Sequence, residues 1–302
     1  MAKPKTQVLS PRQEADLRNI PERMDIRVDW AFKHLFSKKE HLIKIIRDLL
    51  EIEIEVIEYL PNGLDVATEQ DKKSVFDVIC KNVSTGEVFV LEMQTTYESD
   101  MADRLYYYCG SLIHNQVKSG DKVYSVNSVV VCCIASYSVP HKDLVPEGKV
   151  FFHYRMKETE TGEVFDGDKL NICFLELERF DNYLDKNSDL KEQWCWIFNN
   201  LAKFAKRPEN LDSSFDPIIK DADTHKLSTT EKLKYMEALH LNERERQVVY
   251  EGGYIIGHSE GKAEGKAEGL AEAARAMLAK GIDVETIAEC TGLSPEQIEA
   301  FK

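Results

Sequence analysis

The sequence lacks most of the short signatures that announce a protein's chemistry. It has no GxxxxGK[ST] phosphate loop, which argues against ATP-driven chemistry built on that loop. His34, His114, His153 and His240 are isolated, with no HxxxH or HxH spacing, and no CxxC pair is present, so no zinc site is indicated. The seven cysteines are an odd number, and six (Cys80, Cys109, Cys132, Cys133, Cys173, Cys195) lie in apolar stretches. They read as reduced core thiols rather than a disulfide framework. Long hydrophobic runs are missing too. Ser128 to Ser136 is the longest without an acid, far too short to cross a bilayer, and it reads as a buried strand. The opening MAKPKTQVLSPRQE has no hydrophobic signal segment, so a cytoplasmic location without membrane contact is expected. Basic residues are scarce, 39 Lys and Arg against 53 Asp and Glu, for a net charge of −14. Proteins that coat nucleic acid draw their phosphate contacts from Lys and Arg, so that class is excluded. An acidic chain can still act on DNA where a bound divalent cation reverses the local field.

What remains is an ordinary soluble composition over 302 residues, 43% apolar and 30% charged. Residues 1–24 are polar, carry Pro4, Pro11 and Pro21, and are expected to be disordered. Two short helices are predicted between Ile26 and Leu50, from Trp30, Phe32 and Phe36 and then Leu42, Ile45, Ile46 and Leu49. Val75 to Val83 and Glu87 to Gln94 form a β-hairpin about Ser84-Thr85-Gly86. A helix over Tyr97 to Ser119 and strands over Val123–Ser136, Val150–Met156 and Leu170–Leu177 follow; beyond Tyr183 only helices are expected, Leu190–Ala205 and Thr229–Tyr250. The order gives an α/β mixed sheet flanked by helices over residues 25–185. A helical extension over 186–251 and an arm over 252–302 complete the expected organisation.

Hairpin geometry gathers the chemistry. Asp77 shares a face with Val75 and Ile79, opposite Phe76, Val78 and Cys80; Glu92 and Gln94 share theirs with Val88 and Val90. A turn centred on Ser84-Thr85 pairs Asp77 with Glu92, and one centred on Thr85-Gly86 pairs it with Gln94. Either way the opposed residues lie within about 5.5 Å. Two carboxylates in a largely apolar sheet are costly without a cation or a proton. Their oxygens, with the main-chain carbonyl of Met93, suit Mg²⁺ or alternatively Mn²⁺. A strand end at which both acids simply reach solvent would leave the same pattern in the sequence.

The strings VFDVIC and, after a short turn, VFVLEMQ resemble the core motif of the PD-(D/E)XK nuclease superfamily. More closely, with VDWAFKHLF near the start, the helix bearing Arg104, Tyr108 and Gln116, the late LELERF and the glycine-glutamate tail, the chain resembles the Rpn family of recombination-promoting nucleases and transposases. The resemblance covers roughly residues 25–300 and implies a restriction-endonuclease-like fold. It implies a Mg²⁺-dependent endodeoxyribonuclease whose cleavage promotes recombination or DNA transfer, with DNA as partner. Asp77 and Glu92 would be the metal-binding carboxylates. Gln94 would stand where the superfamily usually has lysine, as in related nucleases of the family. A glutamine can orient water but carries no charge.

Other candidates are weaker. Asp29 and Lys33 lie four apart on one helix and can pair; the resemblance implies that this helix flanks the active site, which makes Lys33 a candidate substitute for the absent lysine. Arg104 and Gln116 are candidates to contact phosphate or support Gln94. Glycines at 253, 257, 261, 265 and 269 recur every four residues, each costing a helix roughly 1 kcal/mol, so a flexible or partner-dependent helical arm is expected, and with it a surface for homo-oligomerisation. Gly281 to Lys302 reads as two short helices about Gly292, similar to half a helix-turn-helix. Its second helix carries Glu296 and Glu299 against one Lys302, which favours a packing module over a DNA reader. The competing reading of the whole chain is a nuclease fold that binds nucleic acid or protein without cutting.

Overall fold

The computed structural model describes residues 9–62, 76–120, 122–141 and 145–301, and the chain divides into two compact units, residues 1–243 and 244–302. The first is built on a mixed sheet whose strands are β1 (Ile57–Tyr59), β2 (Val78–Asn82), β3 (Val88–Gln94), β4 (Val129–Ala135), β5 (Phe151–Arg155) and β6 (Leu170–Glu176), in the order β1-β2-β3-β4-β6-β5. β3, β4 and β6 run parallel, while β1 and β2 pair antiparallel, as do β2 with β3 and β5 with β6. Every residue of β4 is buried, as VVVCCIA suggests for a strand covered on both faces.

Helices α1 (Pro11–Arg18), α2 (Asp29–Phe36), α3 (Lys39–Leu50), α4 (Met101–His114), α5 (Leu190–Asn200), α6 (Asp216–Asp221) and the start of α7 (Thr229–Ala279) surround the sheet. One face carries Phe32 and Phe36 of α2, Leu42 and Ile45 of α3, and Trp194 and Phe198 of α5, packed on Val78, Phe89, Leu91 and Ile134. On the other face α4 supplies Met101, Leu105, Tyr108 and Leu112 against Ile79, Val90, Val131 and Cys133. Residues 1–24 are expected to lack structure; 1–8 lie outside the described residues, but within 9–24 α1 has a full capping box from Ser10 and Gln13, with Pro11 in its first turn. His240 of α7 meets Asp16 at 3.0 Å, and Thr224 holds the chain at Pro21 and Glu22. Tertiary contacts far along the chain order this segment. α4 is shorter than predicted, beginning at Met101 rather than Tyr97.

The hairpin register is that of a turn on Ser84-Thr85: Val78 faces Leu91 and Lys81 faces Val88. Gly86 explains the choice. It sits at φ +76°, and a Cβ there would lie 2.6 Å from the Asn127 amide. One expectation fails. Phe76 does not share the face of Val78 and Cys80 but packs with Ile79 against Tyr108 of α4, ring centroids 4.8 Å apart. Alternation breaks because Asp77 is a bend ahead of β2, pinned from both sides by Asn62: Phe76 N–H donates to the Asn62 carbonyl and Asn62 Nδ2 to the Asp77 carbonyl. Val75 lies outside the described residues.

The second unit holds the end of α7, α8 (Val284–Thr291) and α9 (Pro295–Glu299) about Ala274, Ile287 and Ile298. Gly292 ends α8 in the left-handed conformation, and Ser294 with Gln297 forms a capping box on α9. The backbone of α7 is helical through the glycine repeat, where a helix ending near Tyr250 had been predicted. Among the described residues, no helix is long and apolar enough to cross a membrane.

Among the described residues, the largest fully buried side chain is Trp194, set against Phe36, Phe198 and Phe215, with its indole N–H on Asp48 at 2.7 Å. Trp194→Ala is expected to cost about 3–5 kcal/mol in urea denaturation. A loss under about 1 kcal/mol would contradict this packing.

Candidate active site

The acid pair forms where β2 begins and β3 ends. Continuing the observed register puts Asp77 opposite Glu92, and the link is direct: Asp77 N–H donates to Glu92 Oε1 at 3.3 Å, and Met93 N–H donates to Asp77 Oδ2 at 3.0 Å. Glu92 is only 4% exposed. Burial raises its carboxyl pKa, and the Asp77 charge adds to the rise; the Asp77 amide and the Arg104 and Lys33 charges offset only part of it. Asp77 is raised as well, again chiefly by burial, against the Met93 hydrogen bond and the Lys33 charge. Neither acid is comfortable as an anion here.

α2 answers this with a cation. Lys33 Nζ lies 3.2 Å from Asp77 Oδ1 and 2.5 Å from Asp29 Oδ1, bridging the two acids. Burial acts against the Lys33 ammonium, but the hydrogen bond to Asp29 and the Asp77 and Asp29 charges outweigh it and raise its pKa. Val28, Ala31, Phe32, Leu35 and Phe36 anchor this helix in the core, so Asp29 and Lys33 are carried on rigid backbone to the strand ends that hold Asp77 and Glu92.

Gln94 ends β3, half-buried and on the Glu92 face; its carbonyl accepts from Ser136 N–H of the segment leaving β4 at 2.8 Å. Successive carbonyls along a strand point to opposite edges. With Gln94 turned toward β4, the Met93 carbonyl faces the β2 side, where its own N–H meets Asp77. The oxygens on that side are therefore two carboxylates and a main-chain carbonyl, a hard donor set appropriate to Mg²⁺ or Mn²⁺. Among the described residues, the one cluster with a histidine in metal-ligating proximity is Glu40, His41 and Asp221, but Asp221 is already bound to Lys38 at 2.6 Å and His41 at 2.9 Å. That group reads as an ion-pair network.

Arg104 stands in the first turns of α4, its guanidinium bonded to Glu98 at 2.5 Å and its charge acting on Glu92. Tyr108, one turn on, is buried beside it, its hydroxyl pKa pushed up to about 12 by burial and by the Glu92 charge. Gln116 is not brought to this group. It lies past the far end of α4, roughly 18 Å along at about 1.5 Å per residue, and its amide exchanges two hydrogen bonds with the Asn127 backbone ahead of β4. Two aromatic residues beside the site went unnoticed in the sequence, Tyr97 and Tyr137, whose rings meet at 5.4 Å. Only the position of Tyr137 just past the β4 apolar run could have flagged it.

The comparisons with known proteins agree with this architecture. Residues 268–302 match the model of the C-terminal HTH domain of the Rpn/YhgA-like nuclease family. There the last turns of α7 join α8 and α9, where the sequence had suggested only two helices. No curated protein and no solved structure matches the chain. Residues 26–251 match the model of the PD-(D/E)XK nuclease family transposase, and their mixed six-stranded sheet with flanking helices is restriction-endonuclease-like. On this match over most of its length, the chain belongs to the PD-(D/E)XK nuclease family transposases, in their Rpn branch.

Proposed function

We propose that the protein is a divalent-metal-dependent DNA endonuclease that hydrolyses phosphodiester bonds in the cytoplasm and thereby promotes recombination or transposition-like DNA transfer. The observation that carries this reading is the pairing of half-buried Asp77 with buried Glu92, with Lys33 poised on Asp77. Asp77, Glu92 and the Met93 carbonyl would hold Mg²⁺, or Mn²⁺ in its place. When bound, the ion supplies an acidified water and a positive charge for the phosphate oxygens.

The residues of the chain have separable tasks in this scheme. Gln94 lacks the charge of the usual lysine, so its carboxamide orients the attacking water by hydrogen bonding. Lys33 supplies the missing charge from α2, on the far side of Asp77, where it steadies the negative charge that grows on the phosphate. Asp29 holds the Lys33 ammonium in place. Arg104 tempers the Glu92 charge and offers a guanidinium to the DNA backbone. The helix-turn-helix unit would hold duplex DNA, and the glycine repeat of α7 is the surface proposed for self-association.

A reading in which the fold binds nucleic acid or a partner without cutting draws support from the acidic charge of the chain and from Gln94 in place of the usual lysine; one assay separates the two. Supercoiled plasmid with Mg²⁺ is expected to be nicked by the wild type. Asp77→Ala and Glu92→Ala should reduce the rate by at least about a hundredfold, as should Lys33→Met, and EDTA should abolish it. Equal nicking by wild type and the acid variants would defeat the proposal.

The acid pair also predicts a stability effect in metal-free protein. Glu92 has a folded pKa above its ordinary 4.5, so above that pH the unfolded chain gives up the proton first and folding loses stability as pH rises. Glu92→Gln should therefore raise the Tm of metal-free protein at pH 8, by about 2–4 °C for each kcal/mol recovered, and leave it unraised near pH 4. A lower Tm at pH 8 would contradict the assignment of burial as the dominant cost.

A further inference from the structure

Next to the acid pair lies a group of side chains of which the cleavage scheme uses only Arg104. Ser136 N–H meets the Gln94 carbonyl, so the segment leaving β4 starts level with the end of β3. The following residue, Tyr137, packs partly buried on the α4 side of the sheet, the side that carries Glu92. Its ring stands perpendicular to that of Tyr97, centroids 5.4 Å apart. The Tyr137 hydroxyl and Arg104 Nε are both buried with no hydrogen-bond partner among the described residues. Burial holds the proton on Tyr137, and both side chains stand on the α4 side of the sheet, close enough for the Arg104 charge to act on that hydroxyl. Tyr97 is different, with half of its surface (50%) open to solvent.

Two unsatisfied donors on one side of the sheet are costly in a folded chain, and they match the oxygens of a phosphate. An aromatic ring with an open face, a few residues past Gln94, matches a nucleobase. A base inside a duplex is already stacked on both sides, so it can use such a ring only when unpaired or flipped out. The chain's net charge of −14 gives little long-range attraction for a phosphate backbone, so stacking supplies affinity that charge does not.

We propose that Tyr97, Tyr137 and Arg104 form a nucleotide subsite that accepts an unpaired base and its phosphate beside the acid pair, so that the DNA substrate carries a single-stranded or flipped nucleotide at the cut. Tyr97 stacks on the base, turning away from Tyr137 as it does so, and Tyr137 and Arg104 donate to the adjacent phosphate. This rests on the nuclease reading for its substrate, but its test does not require cleavage.

The full chain is titrated, in EDTA, into fluorescein-labelled oligo(dT) of about 20 nucleotides and into a blunt duplex of equal length, with anisotropy as readout. Tyr97→Ala is expected to weaken single-strand binding about tenfold and to change duplex binding by less than about twofold, while Tyr97→Phe restores it. Circular dichroism establishes that each variant is folded. Absence of single-strand binding by the wild type, or a Tyr97→Ala effect that is nil or equal on both probes, would overturn the subsite. Failure of the nuclease reading is seen elsewhere, as absence of plasmid nicking with Mg²⁺, and leaves this measurement standing.

Discussion

Asp77 and Glu92 are held together by two hydrogen bonds, from the Asp77 N–H to the Glu92 carboxylate and from the Met93 N–H to the Asp77 carboxylate, at a place where Glu92 is only 4% exposed. Two negative charges in such a place repel each other and lose their hydration, and the surrounding structure is arranged to answer that cost. α2 brings Lys33, α4 brings Arg104, and the backbone turns a Met93 N–H to Asp77. The ammonium of Lys33 is near enough to Asp77 to moderate its charge, yet it does not bridge to Glu92 with an ion pair in the structure. A divalent ion would neutralise both acids at once. The positions of α2 and α4, on opposite faces of the sheet, follow from their apolar stripes, so the same core that stabilises the fold aims the charged groups.

Much of this was legible in the sequence. The period-two alternation over Glu87 to Gln94 assigned Glu92 and Gln94 to one face, and the turn composition narrowed the hairpin to two registers. Choosing between them required Gly86 and its close neighbour Asn127, a contact across some forty residues that no local pattern displays. The i,i+4 spacing of Asp29 and Lys33 announced their pairing, but not that Lys33 would also reach Asp77. Phe76 was misassigned because strand alternation was carried through Asp77, where Asn62 bends the chain. Gln116 was misread for a related reason: a shared helix side says nothing of distance along the axis, and its amide serves the Asn127 loop instead.

The ends of the chain were harder to read for different physical causes. α1 is short and polar, and its order depends on contacts more than two hundred residues away, such as Asp16 with His240. In the C-terminal unit the caps were plain, with Gly292 ending α8 and Ser294 starting α9. Charge on α9 then weighed against a nucleic-acid role, although the family match identifies a helix-turn-helix domain. The core of that unit draws Ala274 from α7, a residue that a helix thought to end near Tyr250 would not have offered.

The central claim is that one divalent cation is shared by Asp77 and Glu92. Calorimetric titration of Mn²⁺ into the metal-free protein tests it without DNA or catalysis. The account predicts a saturable site of about one ion per chain in the wild type, with release of protons on binding, and loss of that site in both Asp77→Asn and Glu92→Gln. Retention of the same site by either variant would contradict it.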